Sequence, residues 1–287
     1  INTNAGKISG FGYSFGYLGG LLALALGLVT IALPETPMFG ISKDFGQNYR
    51  SMNLLVAIWF LVFSIPTFLW LEKDTKKNKI NTDLIKNSFN QIKNTFTDIR
   101  KYKNTVRFLI ARLFYNDALI TIFSLGGIYA VGTVGFELSE VFILGIFLNI
   151  SAAIGSFIFG YVEDKIGSKR AILITLYLLI FSTLIAFFAP YTSSPKITFW
   201  ISAILLGLMV GPNQSSSRSL LSKIIPVNKK NEFYGFFALT GKATSFVGPL
   251  LFGIISANFS QQIALWIVIL LFCIGTIIFK NICFDKV

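Results

Sequence analysis

The sequence predicts an all-α polytopic membrane protein, and three observations carry that prediction. Of the 287 residues, 54% are hydrophobic and only 13% are charged, whereas soluble domains run at about 45–50% apolar with about a quarter charged. Mean hydropathy is +0.68. Apolar runs recur along the chain, each near the roughly 20 helical residues needed to cross a hydrocarbon core about 30 Å thick. The loops between those runs alternate in charge.

Eight spans can be marked: 8–33, 52–71, 106–131, 139–162, 171–189, 197–220, 233–255 and 262–279. Alternate loops collect the cations. Of the 25 Lys and Arg, 20 fall on one side: Lys7, the segment 72–104, Arg107, the turn 163–170, the segment 218–230 and the C-terminal tail. The other side holds only Lys43, Arg50 and Lys196, while Arg112 and Lys242 lie inside spans. The positive-inside rule assigns the basic side to the cytoplasm. The segment 72–104 is the one long polar stretch. In it Ile85, Phe89, Ile92, Phe96 and Ile99 form an apolar helical stripe beside Lys86, Lys93 and Arg100. That pattern predicts an amphipathic basic helix on the membrane surface. The chain divides accordingly into 1–71, the linker 72–104 and 105–287.

The net charge of +12 sits in loops between spans, which excludes a nucleic-acid surface. There is no histidine, so imidazole acid–base chemistry and His-ligated metals are excluded. Cys273 and Cys283 have no metal-ligand spacing. No cofactor is expected. The first residue is Ile, and no signal-peptide pattern follows it, so residue 1 is expected to lie inside a longer protein. Abundant Lys, Asn, Ile and Phe suggest an AT-rich bacterial genome, and hence the bacterial inner membrane.

The turn Gly160-Tyr-Val-Glu-Asp164-Lys165-Ile-Gly167-Ser-Lys169-Arg170 lies between two spans. Its spacing, Gly-x-x-x-Asp-Lys-x-Gly-x-Lys-Arg, resembles the signature loop of the major facilitator superfamily. Further stretches narrow the likeness: 8–20 with its repeated glycines, 108–117, Ser217-Arg218-Ser219, and 232–253. Together they resemble the vacuolar amino-acid effluxers, the autophagy-related permeases and their bacterial relatives. The resemblance implies helices 5–12 of a twelve-helix major facilitator fold, with the first four helices of the same protein missing. It also implies alternating-access transport of a small polar metabolite, with amino-acid efflux as the finer reading. A non-transporting scaffold or receptor of the same fold is the alternative. A membrane-embedded enzyme is disfavoured, since no nucleophile–base or carboxylate constellation is present.

Charges inside spans cost about 2.5–3.5 kcal/mol each on insertion scales and mark cavities or partners. Asp117 and Lys242 lie at similar depth, which predicts that they pair. Asp117, Thr121 and Ser124 share one helical face, expected to line a cavity, and Asn116 shares a face with Arg112. Arg112 is expected to snorkel to the nearby helix end. Around Pro212, the residues Asn213, Gln214 and Ser217 are expected substrate contacts. Small residues every four positions (Gly12, Gly16 and Gly20; Ala152, Ser156 and Gly160; Gly241, Ser245 and Pro249) predict close helix packing. Asp164, at a helix C-terminus, needs a partner. Arg218 is the expected one, forming a cytoplasmic latch with Gly160, Lys165, Gly167, Lys169 and Arg170 of the signature loop; backbone donors at the start of the first span, at Ile8 and Ser9, could add to it. A substrate, the lipid bilayer and a coupling proton carried by Asp117 are the expected partners.

Overall fold

The computed structural model describes residues 4–34, 36, 38–70, 102–226 and 229–284. The expected amphipathic stripe, 85–99, lies outside the described residues. The chain divides into two compact units, one of residues 1–17 with 91–287 and one of residues 18–90. The helices are α1 (Ala5–Gly27), α2 (Gln47–Trp70), α3 (Lys103–Tyr129), α4 (Leu138–Ile166), α5 (Ser168–Phe188), α6 (Pro195–Ile224), α7 (Lys230–Thr240), α8 (Val247–Asn258) and α9 (Gln261–Lys280). Among the described residues, seven segments are long and apolar enough to cross a membrane. The chain is thus an all-α polytopic membrane protein.

In the smaller unit the end of α1 widens into a π-helical turn, Leu28–Ala32, before the chain returns through α2. Asn48 Nδ2 donates to the Ala32 carbonyl at 3.4 Å and ties the return. Leu54, Ile58, Leu61 and Phe68 of α2 are all exposed. An apolar helix surface of that kind is stable against lipid, where the helix satisfies its own backbone groups.

In the larger unit α6 packs along α4 and α5, and α9 packs along α3, α8 and α5. Absent side chains permit the α4–α6 approach. A Cβ on Gly155 would sit 2.0 Å from the Leu208 carbonyl oxygen, and one on Gly211 would sit 2.4 Å from that of Ala152. Helices in lipid gain no hydrophobic drive from meeting each other, so such close backbone contact is a main source of attraction. Pro212 sits inside α6, and the helix continues through it. Proline has no N–H for the carbonyl four residues earlier. That carbonyl belongs to Leu208, the group facing Gly155.

The first turns of α1 lie against α4, a close approach of the kind that small residues at four-residue spacing predict. On α4 the expected residues Ser156 and Gly160 make the contact, whereas on α1 the packing glycines differ from the expected ones. A Cβ on Gly10 would meet the Ser156 carbonyl at 2.6 Å, and Gly160 faces Gly6 and Gly10. The predicted stripe members Gly12 and Gly16 have open space instead. Four-residue spacing identifies a small face, and a helix with glycines on two faces leaves open which of them packs.

The span expected at 233–255 is a broken helix. Helix α7 stops at Thr240, a turn follows, and α8 starts at Val247. Pro249 supplies part of the reason, because inside a continuous helix it would leave the Ser245 carbonyl unbonded. The rest lies in neighbouring side chains.

Candidate functional site

Three consecutive-turn residues of α3 account for that break. A helix end leaves carbonyls without donors and N–H groups without acceptors. Arg112 Nη1 donates to the Phe237 carbonyl at 2.8 Å and to Thr240 Oγ1 at 3.1 Å, closing the end of α7. Its guanidinium carbon stands 3.5 Å from the centroid of the Phe237 ring. Asn116 Nδ2 donates to the Gly241 carbonyl at 3.3 Å. Asp117 Oδ2 accepts from Gly248 N–H at 3.1 Å, at the start of α8. The remaining donors of that first turn are accounted for: Val247 N–H goes to the Thr244 carbonyl at 2.8 Å, and Pro249 has none. A cation at the C-terminal end of α7 and an anion at the N-terminal end of α8 each match the local helix dipole. Gly248 permits the approach, since a Cβ there would lie 2.1 Å from Thr121 Oγ1.

This arrangement corrects two expectations. Asp117 does not pair with Lys242: among the described residues the ion pairs do not include them, and Lys242 is exposed on the turn. Equal depth in two helices is not proximity, and the break turns the Lys242 segment outward. Arg112 does not snorkel. It is 6% exposed, and its Nη1 bonds the end of α7.

Other predicted residues divide between linking helices and facing open space. Gln214 Nε2 donates to Asn116 Oδ1 at 3.3 Å, tying α6 to the clamp. Ser217 Oγ meets the Tyr115 hydroxyl at 2.8 Å, fully buried. Asn213 is buried and outside the lining of both cavities, and it donates to Thr175 Oγ1 of α5 at 3.0 Å. Thr121 Oγ1 donates to the Asp117 carbonyl and borders a mostly apolar cavity of about 240 Å³ among α3, α4, α6, α8 and α9. Ser124 is exposed and stands outside that lining.

The signature loop forms a second cluster. Gly167, at φ 86°, joins α4 to α5 in a backbone region that favours glycine. Asp164 accepts from Gly6 N–H at 3.0 Å and Lys7 N–H at 3.1 Å. Its carboxylate therefore caps the first turn of α1 through Gly6 and Lys7, two residues before the donors expected at Ile8 and Ser9, and no ion pair with Arg218 occurs among the described residues. Orphan N–H groups and the positive dipole end meet its need for a partner. Lys169 Nζ donates to the Ile282 carbonyl at 2.7 Å, while Lys165 and Arg170 are exposed.

Sequence reasoning missed the ion pair beside it. Glu163 is 1% exposed. Ser168 Oγ donates to its Oε1 at 2.6 Å, and Lys223 Nζ reaches the same oxygen at 3.2 Å and Ser168 Oγ at 2.8 Å. The cluster joins the basic-side ends of α4, α5 and α6. Lys223→Met should destabilise the fold by about 3–5 kcal/mol, because it strands a buried carboxylate. The double variant Glu163→Gln/Lys223→Met should recover much of that loss. Thermal unfolding in detergent micelles measures both.

A larger cavity, about 800 Å³, opens between the first turns of α1, the end of α6 and α7. Ser9, Tyr13 and Tyr17 follow one another at four-residue steps along α1 and line one wall beside Gly12 and Gly16. Arg218, Ser222 and Tyr234 line the others. Ser9 Oγ donates to the Ser215 carbonyl at 2.7 Å and ties the two walls. The Ser9–Tyr13–Tyr17 spacing is a polar face readable in the sequence, though it was masked there by the glycine repeat.

Comparison with known proteins places this architecture. The family model described as "Vacuole effluxer Atg22 like" matches residues 2–286. A Bacillus subtilis protein called "Uncharacterized MFS-type transporter YxiO" is 27% identical over 272 residues, covering 94% of this chain and 62% of the relative. Proteins called "Autophagy-related protein 22" are similar too. That of Cryptococcus neoformans is 23% identical over 280 residues, covering 89% of this chain and 48% of the relative. That of Yarrowia lipolytica is 25% identical over 301 residues, covering 94% and 49%. The chain thus spans about half to three-fifths of the length of these relatives. It belongs to the family of Atg22-like vacuole effluxers.

Proposed function

We propose that the protein containing this chain is a secondary transporter that works by alternating access and moves a small polar metabolite, with amino-acid efflux as the finer reading. The broken span α7–α8 carries the proposal. Irregular backbone at membrane depth is tolerated where protein or a cavity satisfies it, and broken helices recur beside transporter binding sites. Here the break is held by Arg112, Asn116 and Asp117, and α7 walls the larger cavity. The membrane class comes from the family and the apolar helices; the charge bias supports a cytoplasmic basic side, and the Bacillus subtilis relative is compatible with a bacterial inner membrane. On the major facilitator plan the chain supplies helices five to twelve, with four more contributed by the same protein.

The coupling proton is assigned to Asp117. Its Oδ2 holds Gly248 N–H, while Oδ1 is buried with no hydrogen-bond partner among the described residues, so one oxygen is available to carry a proton. Reconstitution of the full-length protein in proteoliposomes tests the transport reading. Labelled amino acids should exchange across the vesicle membrane faster than through protein-free vesicles. Equal rates for every amino acid would remove the efflux reading.

A further inference from the structure

Among the described residues, the lining of the larger cavity has a single charged group. Arg218 is exposed into it, and no carboxylate stands among the lining residues. The carboxylate predicted to neutralise Arg218 is occupied elsewhere, with both Asp164 oxygens on the start of α1. Among the described residues Arg218 therefore has no paired anion, and it stands on the wall of a space large enough for a small metabolite. Its surroundings suit a ligand with one charged end. Tyr13, Tyr17 and Tyr234 offer rings with hydroxyl tips, which hold a body that is part apolar and part polar. Tyr13 lies within electrostatic reach of both Arg218 and Arg112. Gly12 and Gly16 leave the α1 wall bare, so a ligand can lie against backbone there.

We propose that Arg218 is the carboxylate anchor of the transport substrate, and that Tyr13, Tyr17 and Tyr234 hold the substrate's body. The inference rests on the transport reading and gives that site its ligand chemistry. A planar guanidinium pairs with a carboxylate through two parallel hydrogen bonds, a geometry that lysine's point charge does not reproduce. Arg218 lies six residues before the end of α6 at Ile224, about 9 Å along the helix at 1.5 Å per residue. The anchor thus stands in the basic-side half of the bundle, and a substrate held there is one entering or leaving on that side.

The test uses the full-length protein in neutral detergent, with melting temperature as readout. Wild type, Arg218→Gln and Arg218→Lys are each titrated with mono- and dicarboxylates, the proteinogenic L-amino acids, and the carboxamides of the same compounds. At least one carboxylate should stabilise wild type while its carboxamide does not. Arg218→Gln should weaken that effect by about tenfold or more in concentration, the loss typical of a hydrogen bond to a charged group, and Arg218→Lys should recover only part of it. Without ligand all three should melt alike, because Arg218 is exposed. The idea is overturned if no carboxylate in the panel stabilises wild type, or if carboxamides act equally well. Arg218-dependent stabilisation by anionic phospholipid alone would overturn it too, making Arg218 a lipid contact. Flux in proteoliposomes separates this from the transport reading. Amino-acid exchange unchanged in Arg218→Gln leaves transport standing and removes the anchor. Carboxylate-dependent stabilisation without any flux keeps the anchor and removes transport.

Discussion

Asp117→Ala should destabilise the full-length protein and abolish transport, whereas Asp117→Asn should keep the fold and lose only its response to a pH gradient. The contrast follows from what each oxygen does. Alanine leaves the Gly248 N–H at the start of α8 without an acceptor inside the bundle. An unsatisfied buried donor costs about 1–3 kcal/mol, and in lipid no water replaces the lost partner. Asparagine still offers a carbonyl oxygen to that N–H, so the break stays closed. It removes the second, unpartnered oxygen as a place for a proton. Melting in detergent should show Asp117→Ala below wild type and Asp117→Asn close to it. In proteoliposomes Asp117→Asn should exchange substrate at equal pH on both sides but fail to accumulate it under a pH gradient. Retained gradient-driven accumulation in Asp117→Asn would sink the proton assignment and leave Asp117 as a clamp only.

The clamp explains which parts of the site could be read from the chain. Apolar runs gave the spans because hydrophobic length is local, and the signature turn lies where its charge density placed it. Asp117, Asn116 and Arg112 stood out because a charged or amide group inside a span needs a reason. Their partners were not legible. Linear position measures depth along a helix and says nothing of the angle between helices, so equal depth on two helices of the same half does not bring Lys242 to Asp117. The true acceptors and donors are backbone groups of Phe237, Gly241 and Gly248. Backbone groups become available only because the helix breaks, and a sequence shows every residue's backbone as equal. Asp164 shows the same limit. Its need for a positive partner was correctly read, and two N–H groups of α1 meet it where a guanidinium was expected. Arg218, released from that role, then turns from a gate residue into the one cation of the cavity.

Gly155→Val should be the most damaging single change in the helix-packing core, with little correctly folded protein recovered. The first added carbon would fall 2.0 Å from the Leu208 oxygen, 2.8 Å from its carbonyl carbon and 3.0 Å from its α-carbon. All three are backbone atoms, so no rotamer change can make room. Relief requires α4 and α6 to separate, which also gives up the close contacts of Gly211 with Ala152 and of Gly207 with Leu148. Overpacking in a close-packed interior usually costs about 1–3 kcal/mol when side chains can shift, and backbone against backbone should exceed that range. Gly211→Ala should be similarly harmful, since its Cβ meets the Ala152 oxygen at 2.4 Å. Gly12→Ala and Gly16→Ala serve as matched controls, because a Cβ at either position meets nothing within 4 Å. They should melt like wild type, or slightly higher through helix propensity. Fluorescence-detected size-exclusion after heating ranks all four variants. If Gly155→Val elutes and melts as wild type does, α4 and α6 do not meet at Gly155, and the close approach that positions Arg218 and Gln214 on α6 is wrong.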